Sequence, residues 1–573
     1  MRHLRAKSIY PGRVRGVMAE FRRERFSVTE KQAENPRAEY RHFKSALRAA
    51  QLQLAGEKKL MLDRRRTNPG EILALDDAIN VLESHIMTLE DPYFLGEIKN
   101  RIFATGATGA AALGAVISMV SRQFAFEPPG CKFEGGQNRH FVKDMTDMKR
   151  RILYFLGLQQ DFKLPEGVSI VVAPRLTVSE VLALKRAGVR GIIIGETSET
   201  AHELVMLRAM RIPCVSVSDT RFFRLRKSLP VLIDADIGYI VLNPRRAARF
   251  TETPAGDTKP RWSETVRMKS GEKIRLSGML HFSSELNATP AETAGQNIGL
   301  YRTEYQVSEA GELPSTRQLT KQYEQLLGFD RNLEITFRLF DFSEDKNFLK
   351  SPLIENDRDL RGIRFLLREK KILESQITAL VKAAYDTGRP LRVLIPYLTE
   401  SRELAAVLQI IESAQAGRKK LPVKVGAMLE NTAAVFTAAR WAAKLDFFYA
   451  GTSDLLSSLA VEKREHTEAL QRALLGDASV VLCRSLRDLA RKKPVTICGE
   501  VAGEPWAIAW FRNFGFNDFV VPTHRIGVIS NMLQTLTAET CRKFAQQLLK
   551  IEDENERLEK ARLKALDILY GQS

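Results

Sequence analysis

The chain has 573 residues, 44% hydrophobic and 27% charged, which is too long for one core, since domains run to about 50–250 residues. No apolar run approaches the ~20 residues that cross a bilayer, and the basic N-terminus has no apolar signal-peptide core. The five cysteines lack paired CxxC spacing, which fits reduced thiols in a cytoplasmic protein.

The net charge of +18 is uneven: residues 1–66 hold 18 Lys/Arg against 7 Asp/Glu, a local excess of +11. That stretch has no zinc finger, aromatic–glycine RNA motif or helix-turn-helix pattern, so a solvated basic surface is expected and nucleic acid is not. From about residue 30 to 125 the spacing of Leu73, Ile79, Leu82, Ile86 and Leu89 is helical, with Asp91-Pro92 as a break between helices. Residues 168–247 change character. Short β-branched runs (168–172, 191–194, 215–217, 231–233) alternate with helical stretches, an α/β pattern. Thr251–Pro260 reads as a polar linker. Beyond it, strands are predicted at 334–340, 391–396, 423–429, 446–450 and 494–498, and a helix-rich stretch at 529–569.

Several motifs in this last region bring arginines and carboxylates together. They are Gly299-Leu300-Tyr301-Arg302-Thr303-Glu304, Phe337-Arg338-Leu339-Phe340-Asp341, Leu360-Arg361-Gly362, Ala427-Met428-Leu429-Glu430, Thr452-Ser453-Asp454 and Ile497-Cys498-Gly499-Glu500. Three guanidinium forks suit a small polyanion. Two separated carboxylates, Glu430 and Asp454, suit Mg²⁺, which takes one or two carboxylates together with substrate phosphate oxygens. Because Arg338, Glu430, Asp454 and Cys498 fall at or just after predicted strands, the expected fold is a (β/α)₈ barrel with its site at the strand ends.

The set as a whole resembles the Enzyme I family, the phosphoenolpyruvate-protein phosphotransferases of the bacterial sugar phosphotransferase system. Ser84-His85-Ile86-Met87-Thr88-Leu89-Glu90-Asp91 is similar to a segment of that family's carrier-docking helical subdomain. Ala173-Pro174-Arg175-Leu176-Thr177-Val178-Ser179 and Thr200-Ala201-His202 are similar to its phosphohistidine domain. The resemblance implies a multidomain α/β chain. A phosphohistidine α/β domain spans residues 1–25 and 150–250, with a helical subdomain inserted at 26–149. A linker follows at 251–264, then a phosphoenolpyruvate-binding (β/α)₈ barrel at 265–573. It implies His202 as phosphoryl acceptor at the start of a helix over 202–211, and Cys498 as the acid that protonates the enolate. Arg302, Arg338, Arg361, Ser453, Asp454, Lys463 and Arg464 would bind phosphoenolpyruvate, and Glu430 and Asp454 would bind Mg²⁺. The phosphocarrier HPr is the implied partner, with a homodimer formed through the barrel.

Some positions depart from the family pattern. Thr197 and Ser198 replace two glycines ahead of the histidine, Arg175 replaces an aspartate, Ser453 an asparagine, and Lys463 an arginine that Arg464 is placed to supply. These changes leave open a second reading, a degenerate Enzyme I paralogue with a regulatory binding role. The basic residues 1–66 also suggest a partner with an acidic surface.

Overall fold

The computed structural model describes residues 2–21, 32–67, 72–125, 137–158, 164–196, 201–219, 222–223, 229–244, 263–281, 297–310, 312–330, 333–343, 351, 354, 357, 360–417, 421–463 and 466–570. They fall into two compact units, one up to Pro244 and one from Ser263 onward. The predicted linker lies almost wholly outside the described residues, as does Arg464.

The first unit joins a sheet to a set of long helices. Its strands are β1 (Arg2–Arg5), β2 (Lys7–Tyr10), β3 (Arg13–Glu20), β4 (Val168–Ala173), β5 (Gly191–Gly195), β6 (Cys214–Val217), β7 (Leu229–Asp234) and β8 (Tyr239–Leu242). They lie side by side in the order β1-β8-β7-β3-β4-β5-β6-β2. The run β3-β4-β5-β6 is parallel and the flanking pairs are antiparallel. The residues between β3 and β4 form the helices Pro36–Thr67, Ile72–Glu90, Pro92–Thr105, Gly109–Ala125 and Gln137–Phe155.

Local chemistry sets these boundaries. Asp91 caps the third helix by accepting from the Phe94 N–H at 2.7 Å, Pro92 occupies its first turn, and Gly106 closes it in the left-handed conformation. One apolar core runs from the helices (Leu54, Leu82, Ile152) to one face of the sheet (Val171, Ile192). Glu57, buried in the first helix, ties the parts together by accepting from Arg151 at 2.9 Å and Arg186 at 3.1 Å. The outer side of the same helix carries the charge noted above: Arg37, Arg41, Lys44, Arg48, Lys59 and Arg66 are exposed at spacings that place them on one face.

The second unit is a closed barrel. Its strands are β9 (Ser263–Arg267), β10 (Lys273–Leu280), β11 (Asn297–Arg302), β12 (Glu334–Arg338), β13 (Leu391–Ile395), β14 (Val423–Leu429), β15 (Phe447–Gly451), β16 (Val495–Cys498) and β17 (Asp518–Val521). The eight strands β10–β17 pair in parallel in chain order. The ring closes because β10 is hydrogen-bonded to both β11 and β17, while β9 joins antiparallel to β10. Alternate side chains Met279, Leu300, Leu394, Met428, Tyr449, Cys498 and Val520 form one small cluster, and the larger core lies between strands and helices. Strands β12 to β16 match the predicted runs within two residues, whereas β9, β10, β11 and β17 were not predicted. Two of them give little apolar signal, β17 having only four residues and β9 only one buried side chain.

Candidate functional site

The barrel register fixes which side chains meet. Arg302 and Arg338 end β11 and β12 and are paired across those strands, and Gly451 is paired with Cys498 across β15 and β16. The C-terminal strand ends therefore face one another around a ring, and the loops that leave them add the rest. Arg361 precedes the helix Gly362–Arg368, and Ser453 and Asp454 open the helix Thr452–Ala460.

These groups form one charge network. Arg338 is bound to Glu304, and its Nη1 lies 3.4 Å from Asp341 Oδ2 and 3.8 Å from Glu430 Oε1. Arg361 donates to Asp454 Oδ1 at 2.8 Å and to Asp341 Oδ2 at 3.3 Å. Arg302 Nε meets Glu304 Oε1 at 3.2 Å, and its guanidinium lies 3.2 Å from the His281 ring nitrogen and over the Tyr305 ring. Asp341 and Glu304 are fully buried, so each carboxylate orients two arginines at once. Burial works against the charge of both Arg338 and Arg361, but the surrounding carboxylates outweigh it and hold both pKa values above the usual guanidinium value.

The carboxylates carry a complementary strain. Burial, then the nearby Asp341 and Asp454, push Glu430 up to about 7 despite Arg338 and Arg361. Four buried carboxylates face three arginines, and a cation among hard oxygen donors relieves that crowding. Glu430 and Asp454 thus fit Mg²⁺ by donor chemistry. Glu430 Oε2 is aimed by the Tyr397 backbone N–H at 2.8 Å, and Tyr397 holds φ of 53°, an uncommon conformation for a non-glycine residue. Gly362, with φ of 54°, leaves no room for a Cβ, which would lie 2.7 Å from the Cβ of Tyr397.

Cys498 is buried, its thiol 3.4 Å from the Ala450 carbonyl. Burial first, then Glu430, pushes its pKa well up, so the group keeps its proton. Gly499 follows at φ of 115°, with Thr452 Oγ1 2.6 Å from where a Cβ would stand. Ser453 is buried beside Asp454, whereas Lys463 is exposed beyond the end of that helix.

His202 stands in the other unit, at the first position of the helix His202–Ala209, which is two residues shorter than the sequence suggests. Its Nδ1 is 2.9 Å from Asp144 Oδ2, and Asp144 Oδ1 is 3.3 Å from His85 Nε2. The hydrogen bond to Asp144 raises the His202 pKa against the effect of burial. Asp144 is lowered to about 2, because its contacts with His202 and His85 outweigh burial. Among the described residues these three form the one His/Cys/Asp/Glu group with donor atoms all within 4.8 Å. The carboxylate faces one histidine nitrogen with each oxygen, so pairing of the acid with the two rings already accounts for the cluster.

Residue-by-residue reasoning did not single out Glu304 and Asp341 as site groups, although both end quoted motifs and their charge beside an arginine was a usable signal. Asp144 carried no signal, being one carboxylate in a charged helix.

Comparison with known proteins gives three family matches. Residues 262–538 match the PEP-utilising enzyme, PEP-binding domain; residues 5–126 the PEP-utilising enzyme, N-terminal; and residues 164–238 the PEP-utilising enzyme, mobile domain. The phosphoenolpyruvate-protein phosphotransferase of Chlamydia trachomatis is 26% identical over 488 residues, 82% of this chain and 83% of that protein. The protein of the same name from Priestia megaterium is 24% identical over 564 residues, 94% and 93%. The multiphosphoryl transfer protein of Rhodobacter capsulatus is 28% identical over 421 residues, 71% of this chain and 51% of that protein.

Proposed function

Because the chain belongs to the PEP-utilising enzymes, as a phosphoenolpyruvate-protein phosphotransferase of the Enzyme I type, we propose that it moves the phosphoryl group of phosphoenolpyruvate to His202 and then to a phosphocarrier of the HPr kind. The observation that carries this reading is the meeting of Arg302, Arg338 and Arg361 at the strand ends, each held by a buried carboxylate. Arg302 and Arg338 take the phosphate and Arg361 the substrate carboxylate, with Ser453 and Asp454 at the same rim. Glu430 and Asp454 are the residues to hold Mg²⁺, which when bound supplies charge neutralisation on the transferring group.

A lone pair of the His202 imidazole forms the N–P bond as the P–O bond breaks, and that bond's electrons stay on the enolate oxygen. The enolate takes a proton at carbon 3 from the Cys498 thiol, giving pyruvate, and the thiolate is reprotonated from water. The high pKa of Cys498 suits this role, since the proton is present when the enolate forms. His202 must reach the barrel for the first step and the carrier for the second, and the linker at 251–264 is the proposed hinge. The exposed cations on helix Pro36–Thr67 support a carrier with an acidic face. A homodimer through the barrel belongs to the same reading, as does a cytoplasmic location. Among the described residues no helix is long and apolar enough to cross a membrane.

The test is incubation with labelled phosphoenolpyruvate and Mg²⁺, wild type beside His202→Ala. Acid-labile label on the wild type alone, chased off by HPr, is the expected outcome. An unlabelled wild type would overturn the reading in favour of a regulatory paralogue.

A further inference from the structure

Three helices bring their side chains to one point in the first unit. His85 comes from helix Ile72–Glu90, Asp144 from helix Gln137–Phe155 and His202 from helix His202–Ala209. His85 is 1% exposed, while the His202 side chain remains 30% exposed. The Asp144 carboxylate lies between them, 2.9 Å from His202 Nδ1 and 3.3 Å from His85 Nε2. A charged carboxylate only accepts hydrogen bonds, so each of these two nitrogens is the one that carries hydrogen. The other charged groups around His202 are Glu203, next in its helix, and Lys143, which neighbours Asp144 and binds Glu203 at 3.0 Å.

The geometry assigns Asp144 as the positioning residue of the phosphoryl acceptor, with His85 as its buried second anchor. Asp144 keeps the proton of His202 on Nδ1 and so leaves the Nε2 lone pair as the nucleophile. This rests on the reading of His202 as the acceptor. As Nε2 bonds to phosphorus and the P–O bond of the donor breaks, the ring becomes cationic with its proton still on Nδ1, and the adjacent carboxylate offsets that charge. When the carrier attacks, the N–P electrons return to Nε2 and the ring is again neutral without any proton having left it. His85 limits the turning of the carboxylate: with Oδ1 against the buried His85 ring at 3.3 Å, Oδ2 stays on Nδ1.

The experiment uses the full chain with ¹⁵N-labelled histidine. Nitrogen NMR above the His202 pKa reads the tautomer of the wild type, and single-turnover labelling by phosphoenolpyruvate reads rate against pH for wild type, Asp144→Asn, His85→Gln and His85→Ala. Expected are an Nδ1–H tautomer and a rate loss of about 10²–10⁴-fold in Asp144→Asn, the range seen for general acid–base and triad-type contributions. The acid limb of its pH profile should also move to lower pH. His85→Gln keeps a donor and should stay within about threefold of wild type, whereas His85→Ala should lose about tenfold. An Nε2–H tautomer in the wild type overturns the assignment whether or not labelling occurs. So does an Asp144→Asn variant with unchanged rate and pH midpoint. Failure of the wild type to be labelled, with the Nδ1–H tautomer present, strikes the phosphotransferase reading alone, and NMR dispersion separates misfolding from either result.

Discussion

Replacing Asp341 by asparagine removes one charge and leaves the shape of the site in place. Asp341 Oδ2 sits 3.4 Å from Arg338 and 3.3 Å from Arg361, and both arginines keep a second partner, Glu304 for Arg338 and Asp454 at 2.8 Å for Arg361. The variant therefore weakens orientation without orphaning either guanidinium. Two effects oppose one another. A buried negative charge near an anionic substrate repels it by roughly 2–4 kcal/mol at an effective dielectric constant of about 20, so neutralising it favours binding. Loosened arginines cost alignment, and a displacement of about 1 Å is worth about 10²-fold in rate. The first effect acts on bound substrate and transition state alike and the second acts on turnover, so kcat should fall about 10–100-fold while KM stays flat or falls. Steady-state phosphotransfer from phosphoenolpyruvate to HPr, with rapid-quench labelling of His202, measures both constants. A raised KM with kcat preserved would refute the reasoning, because it would make Asp341 a ground-state binding element.

Gly499→Ala should destabilise the barrel by about 2–4 kcal/mol, from positive φ and a crowded Cβ; calorimetry checks it, and an unmoved barrel transition contradicts the model of the turn. Gln376 accepts from the Phe340 N–H at 2.9 Å and donates to Thr303 at 2.9 Å, so Gln376→Met should cost about 2–3 kcal/mol by leaving buried groups unpaired, read from thermal melting of the barrel. Reversing Arg41 and Arg48 to glutamate should slow transfer to an acidic carrier about tenfold at low salt, with the difference shrinking towards 1 M, where the Debye length is about 3 Å. The folded pKa of His202 is raised, so its bond to Asp144 adds stability that is full below the unfolded value of about 6.5 and fades as pH rises through the folded value. Asp144, lowered to about 2, adds stability above its unfolded value of about 3.9 that is lost as pH falls towards 2. Melting of Asp144→Asn beside wild type should therefore differ most between about pH 4 and 6.5.

Legibility followed the length and the apolar content of each element. β13 and β14 are dominated by buried aliphatic residues and were found from the sequence. β9 and β17 were not, because β9 is an antiparallel flap with one buried residue and β17 has four residues, one of whose partners, β10, lies far off in the chain. The arginines of the barrel site were visible because each sits in a motif. The role of the carboxylates that orient them is not legible in the motifs, since a motif shows adjacency in sequence and the network depends on adjacency across strands. Asp144 illustrates the limit: only the packing of three helices brings it to His202, and no spacing rule encodes that.

The closure of the barrel has a consequence for synthesis. β10 needs both β11 and β17, and in register Arg275 meets Asp518. Until the ribosome has released residue 521, β10 has β9 and β11 along one side but nothing along the side that β17 will take, and the growing sheet keeps two open edges. At roughly 5–20 residues per second, about 12–50 s pass between the emergence of β10 and β17. During that interval the open edges are available for pairing with other chains. Late-arriving β17 is thus the piece whose truncation or slow delivery should expose the nascent chain most, and holding factors that bind unpaired strands would act in that window. The helices Ala538–Leu549 and Glu554–Tyr570, which pack after it, seal a ring that could not have been finished earlier.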